Sequence, residues 1–472
     1  MADPRAGTSK RRRGESRIGL TRGPISRALF TLAWPVVLSN LLQTIYNIAD
    51  TYWVGGLGSG AVAAISLGFP VVFLFISLGG GLVIAGTTLV AQNVGAGRDG
   101  AANYIASQTL GFVGMVSIVL AALGYFFSGA VVEILGAEPE IIPAAVAYLK
   151  TWFVGVPFVF GFFVFQALVR GSGNTMSPMR LMVASTLLNI VLDPFFIYGW
   201  GPFPVMGVPG AAVATVISRG LAAILGLYLL FKGTIGLRVK LEHMWPRLDT
   251  VRSVLSIGTP AAIEQSSRAV GMTVMTAVVT AYGTPALAAF GIGNRVVSLI
   301  FMPSMGVAEA TTAVVGQNLG AGLEKRAEKA AWIGAGSMFA LLSFSGIFVY
   351  AGAGYVGGIF LPPGDTVALA HTAAYLRTIA FGFGFIGAMN VVNGAFRGAG
   401  KTMVAMAFSI ISLLGLRVPL AYFLAGFTEL GTRGLWWGVL LSNVIGGILA
   451  TAWFSRGGWK QSLVEDEDFP EN

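Results

Sequence analysis

The chain has 472 residues, 55% hydrophobic and 11% charged, and its 30 Lys and Arg against 21 Asp and Glu give a net charge of +9. A soluble domain carries about 25% charged residues, so a water-facing globule is excluded. With no cysteine, disulfides, thiolate chemistry and cysteine-held metals are excluded as well.

Apolar runs long enough to cross a bilayer recur along the whole chain. Backbone groups in lipid must bond internally, which leaves helices or a closed barrel. These runs are too long and continuous for the alternating strands of a barrel. The sequence therefore predicts an all-α, polytopic membrane protein of twelve transmembrane helices. Their starts fall near residues 27, 61, 103, 142, 179, 210, 250, 286, 328, 369, 402 and 434. Residues 1–24 form a basic cytoplasmic tail, "KRRRGESRIGLTRG" within it. The apolar segment that follows carries Pro35 and lacks a small-residue cleavage site, so it reads as a retained span rather than a signal peptide.

The first span contains "SNLLQTIYNIAD", residues 39–50. Asn40, Gln43, Asn47 and Asp50 stand at steps of three, four and three, which puts them on one helix face with Tyr46 beside them. The fifth span repeats the device with Ser185, Asn189 and Asp193, and Pro194 directly after weakens the backbone ladder there. A charge at a helix centre costs about 3 kcal/mol by insertion scales, and such residues usually line a pathway. If Asp50 and Asp193 face each other, the pair can hold a proton or a small cation. Oxygens of Asn189, Tyr46, Asn47 and Thr215 suit a hard cation such as sodium. The plainer reading is that Asp50 is merely wet at the end of its span.

The chain between residues 236 and 249 reads as a cytoplasmic linker between a bundle at 25–235 and a second at 250–458. "LVAQNVGAG" at 89–97 matches "VVGQNLGAG" at 314–322, a shift of 225 from Gln92 to Gln317. "VRGSGNTM" at 169–176 matches "FRGAGKTM" at 396–403, a shift of 227; Pro35 pairs with Pro260 and Pro194 with Pro419, each 225 apart. The chain is a duplicated six-span unit. An even number of spans gives both halves one orientation, so their pseudo-twofold axis lies along the membrane normal. Adding 225 to Asp50 and Asp193 lands on Met275 and Val418, so the acids exist in one half alone. That asymmetry favours a coupling site over a wet carboxylate.

Other membrane charges have plainer explanations. Glu264 and Arg268, four apart, can neutralise each other. Arg219, Arg295, Arg377 and Arg417 lie near span ends, where snorkelling or pairing is expected; for Glu309 the sequence alone names no role. Arg98, Arg170, Arg180, Lys232, Arg238, Lys240, Arg247, Lys325, Arg326, Lys329, Arg397 and Lys401 fall in connections on one side with both termini, which predicts a cytoplasmic side. "GAGKT" at 398–402 has Ala395 where a P-loop needs glycine, so no ATPase is expected. Residues 459–472 read as an acidic cytoplasmic tail. No cofactor is expected, transport being driven by a proton or sodium gradient.

Twelve spans in two like-oriented halves, with "QNVGAG" and "QNLGAG" after the second and eighth spans and "RGSGNT" and "RGAGKT" after the fourth and tenth, resemble the MATE family, multidrug and toxic compound extrusion. "YNIADTYWVG" and "NIVLDPFFIYG" resemble its prokaryotic DNA-damage-inducible branch. The resemblance implies a V-shaped pair of six-helix bundles around a central cavity. It implies a secondary active exporter of organic, often cationic, compounds in exchange for protons or sodium, by alternating access, and not an enzyme. It assigns coupling to Asp50 and Asp193, support to Tyr46 and Asn189, and a sixth-span ligand to Thr215. Pro35 matches a proline tied to bending of the first helix. Sodium would sit at Asp50, Asn189, Asp193 and Thr215. Another branch uses a seventh-span glutamate and a tenth-span aspartate; Glu264 matches the first, but Asn390 and Asn393 offer no acid. The alternative is a lipid-linked saccharide flippase, which should line its cavity with basic residues, and the arginines do not look clustered in the sequence. The expected setting is the cell membrane, as a monomer handling small organic substrates and no nucleic acid.

Overall fold

The computed structural model describes residues 19–362 and 364–464. Most of the two expected tails therefore lies outside the described residues. Among the described residues all regular structure is helical: α1 (Ile25–Gly55), α2 (Ser59–Gly95), α3 (Asp99–Ile134), α4 (Ile142–Gly171), α5 (Met176–Tyr198), α6 (Val208–Lys232), α7 (Leu248–Thr280), α8 (Thr284–Gly320), α9 (Glu324–Phe360), α10 (Thr366–Ala380), α11 (Phe383–Gly398), α12 (Thr402–Ile410), a π turn (Ile411–Leu416), α13 (Arg417–Gly426) and α14 (Thr432–Ser455), with a 3-10 turn at Leu241–His243. Among the described residues ten helices are long and apolar enough to span a membrane, counting Thr402–Gly426 as one. The pair α10 and α11, bent by 53°, makes an eleventh. Helix α7 has the length of the twelfth, but Glu264, Gln265 and Arg268 dilute its apolar run. On α9, Phe344, Ile347 and Phe348 are exposed at helical spacing, as a lipid-facing stripe must be.

The chain divides into two compact units, one of residues 38–262 and the other of 20–37 with 263–463, the ends beyond them aside. Their limits fall inside α1 and α7, not at the 236–249 connection where the sequence draws the border. Glycines explain this. In the first unit a Cβ on Gly81 would lie 2.3 Å from the Gly258 carbonyl and 2.6 Å from the Ala262 Cβ, so α2 packs backbone-close against the opening of α7. In the second unit a Cβ on Gly306 would lie 2.4 Å from Val37 Cγ2, and α8 takes the opening of α1 in the same way. Small residues at such crossings let membrane helices associate by van der Waals contact. Gly81 and Gly306, and Val37 and Ala262, are each 225 apart, so both units use one packing rule.

The first unit's core is aromatic, with Phe153, Phe160, Phe162 and Phe165 fully buried. The second holds Phe290, Tyr375 and Trp436 in one cluster and Phe396, Phe454 and Trp459 in another. The 236–249 connection is not slack. Gln108 donates to the carbonyls of His243 (2.6 Å) and Trp245 (2.8 Å) and accepts from the Arg247 amide (2.6 Å), which clamps the connection to α3. Residues expected to open the acidic tail are docked too. Trp459 stacks on Phe454 at 4.5 Å, and Lys460 reaches Glu328 at 2.8 Å. At the other end, Leu20 is fully buried, its carbonyl accepting from Asn318.

Candidate functional site

The two sequence-predicted acids lie on α1 and α5, and the ends of these helices are tied together just beyond them. The Tyr198 hydroxyl donates to the Trp53 carbonyl, and Trp53 packs edge-on against both Tyr198 and Trp200. Gly56 admits the tyrosine, since a Cβ there would overlap its hydroxyl. Helix α5 then stops at Gly199, whose φ of 72° is the left-handed conformation that glycine takes without strain. Trp53 is one turn past Asp50, and Tyr198 lies in the turn after Asp193, so this tie sets the register of the acids. Pro194 sits inside α5 and removes the usual helical donor to the Ile190 carbonyl.

Within that frame the Asp50 and Asp193 carboxyls face each other within hydrogen-bonding range. Asn189 donates its amide to Asp193 Oδ1 at 3.2 Å. Ser185, Asn189 and Asp193, the predicted stripe of α5, are all buried. Three oxygens of this group, Asp50 Oδ1, Asp193 Oδ2 and Asn189 Oδ1, are buried with no donor among the described residues. A carboxylate is an acceptor alone. Two carboxyls at this range repel when both are ionised, so the pair favours a shared proton or a bound cation.

Tyr46 is brought to the same region, and its hydroxyl shares a hydrogen bond with Thr215. Thr215, predicted as an ion ligand, is thus engaged by the tyrosine. Asn47, also predicted as a ligand, is exposed. Its Oδ1 accepts from Gln43 Nε2 at 3.1 Å, so the structure does not bring it to the carboxyls. Pro35 lies within α1, which runs through it as one helix.

Sequence reasoning missed Arg219. It is expected to snorkel or pair near a span end; it pairs, but at the site, buried at 4% exposure, 4.9 Å over the Tyr46 ring and 5.7 Å over that of Phe162. It donates to Gln43 Oε1 at 2.6 Å, and its charge acts on Asp50. The usable signal was spacing: Arg219 is four residues after Thr215, on the same face of α6. Tyr148 of α4 also lies near Asp50, and no sequence pattern marks it.

The second unit carries a different charge group. Glu264 is fully buried. Arg397 holds both its oxygens, with Nε to Oε2 at 3.0 Å, and Ser409 donates to Oε1 at 3.3 Å. Arg268, the partner expected from spacing, stands farther off at 3.5 Å and donates to Asn390 at 3.2 Å. Two expectations are corrected. Arg397, assigned to a cytoplasmic connection, is a buried ion-pair partner, because the end of α11 brings it across from α7. The arginines that looked scattered converge instead, Arg268 and Arg417 lining one cavity. Arg295 and Arg377 are exposed, as snorkelling requires.

A family model described as MatE matches residues 35–195 and again 260–423, and its two copies start 225 residues apart, as the internal repeat does. The probable multidrug resistance protein YpnP of Bacillus subtilis is 30% identical over 444 residues, 93% of this chain and 97% of that protein. A protein of Shewanella oneidensis named FAD transporter is 29% identical and covers 92% of this chain and 95% of its own. A crystal structure of MATE in the bent conformation, 27% identical, superposes with a TM-score of 0.87 over 93% of this chain and 97% of the other.

Proposed function

The chain belongs to the MatE family, and from that premise we propose that it is a proton- or sodium-coupled exporter of small organic compounds, with Asp50 and Asp193 as its coupling groups. It is a multi-pass membrane protein and a transporter, not an enzyme. The observation that carries the coupling reading is the pair of facing carboxyls, each with a buried oxygen that has no donor among the described residues. A proton shared between them, or sodium held by them and by Asn189, would relieve the repulsion of the two carboxylates. Arg219 and the Tyr46–Thr215 pair form the polar wall beside it. A cationic substrate needs the carboxylates ionised, while a proton or sodium neutralises them, so the two cargoes exclude each other. Exclusive occupancy is what exchange by alternating access requires. A gradient supplies about 2.3 kcal/mol per charge for each 100 mV. The setting proposed is the cell membrane with both termini cytoplasmic, supported by the sidedness of Lys and Arg along the sequence, and the chain acts as a monomer without nucleic acid.

The test is ethidium efflux from proteoliposomes under separately imposed proton and sodium gradients. Efflux that follows one gradient supports the reading; efflux indifferent to both overturns it. A lipid-linked saccharide flippase keeps one observation in its favour, the pair of cavity-lining arginines in the second unit.

A further inference from the structure

The second unit contains a cavity of about 220 Å³ built from residues of α7, α8, α11, the Thr402–Gly426 span and α14. All of its lining belongs to residues 263–463, so it lies within that unit. Met272, Val297, Phe301 and Leu413 supply apolar walls, while Arg268 and Arg417 bring two guanidiniums to the same space.

Their charge is not cancelled locally. Glu264 is the carboxylate that Arg268 reaches, yet Arg397 already holds both of its oxygens and Arg268 stands 3.5 Å away. Arg417 is fixed by neutral oxygens, with Nε to Ser442 Oγ at 3.3 Å and Nη2 to Asn443 Oδ1 at 2.6 Å. Among the described residues no carboxylate pairs with Arg417. The Nη1 ends of Arg268 and Arg417 make no bond among the described residues, so each fork keeps a donor to offer. Arg268 keeps 28% of its side chain exposed and Arg417 is half-buried, so an entering anion can reach both guanidiniums while they are partly out of water. The π turn at Ile411–Leu416 adds a second sign. Such turns inside helices are frequent at functional sites, and this one sets Ser412 and Leu413 against the cavity immediately before Arg417.

We propose that this cavity is a separate anion site, taking a small organic carboxylate whose head group meets Arg268 and Arg417 and whose apolar body fits the walls. The planar fork of arginine matches a carboxylate. The volume is below the about 300–1,000 Å³ of drug-sized pockets, which fits a compact acid. The proposal does not depend on how transport is coupled, because the acid pair lies in the other unit.

Calorimetric titration of the purified full-length protein in neutral detergent tests it, with benzoate against benzamide, which has the same outline and no charge. Benzoate should bind at least about tenfold more tightly, the scale of a charge-assisted hydrogen bond. Arg417→Gln should erase that preference and Arg417→Lys should keep part of it. Leu413→Trp, which leaves both arginines in place, should block both compounds by filling the space. Equal affinity for the two compounds, or an unchanged preference in Arg417→Gln, overturns the proposal. So does abolition of the benzoate signal by phosphatidylglycerol but not phosphatidylcholine, which would assign the cavity to a lipid headgroup.

Discussion

The two halves of this chain share a scaffold and bury opposite charge. In the first unit two acids face each other; in the second two guanidiniums meet one glutamate, and a third, Arg417, stands among neutral oxygens. Helix packing is repeated almost residue for residue, Gly81 with Gly306 and Val37 with Ala262. The chemistry is not: Asp50 answers to Met275, a core residue 1% exposed, Asp193 to Val418, and Arg268 to Gln43, the residue that receives Arg219 in the first unit. Backbone-close crossings admit only small residues, so a duplicated fold must keep them twice. A buried charge needs only its own partners, so each copy is free to change its set.

The sharpest way to break this comparison is Asp193→Asn. It should reduce gradient-driven ethidium efflux to that of protein-free vesicles while leaving the unfolding temperature close to the parent's, because the amide oxygen of the new side chain can still accept from Asn189. Efflux at parental rates would mean the first unit's acids are structural. Glu264→Gln should do the reverse and cost stability. Arg397 would then be buried without its carboxylate, and removing one partner of a buried pair costs about 3–5 kcal/mol, read as a fall in thermal unfolding temperature in detergent. A loss under about 1 kcal/mol would show that the pair is not what holds α11 to α7. Smaller still, Gly81→Ala and Gly306→Ala should each destabilise by about 1–3 kcal/mol through overpacking, and by similar amounts. Unequal effects would separate the two crossings. Least of all, Tyr46→Phe removes one hydrogen bond, about 1 kcal/mol, and the exposed Asn47→Ala should change neither stability nor efflux beyond error. A large effect of Asn47→Ala would restore it to the ion site.

The sequence carried whatever depends on neighbours along the chain. Apolar runs located the helices, whose starts lie within four residues of the expected ones. Repeated motifs exposed the duplication, and helical spacing put Asp50 and Asp193 on polar faces, because hydropathy and a 3.6-residue period are local properties. Which groups meet across a bundle is not local. Arg219, expected to snorkel or pair, finds its partners in Gln43 and the Tyr46 ring, and Arg397 leaves its connection to grip Glu264, 133 residues away. The opening of α1 joins α8, and Asn47 turns aside to Gln43. In a medium without water, each buried charge is placed by the partner that desolvates with it, and that choice was made only when the helices packed.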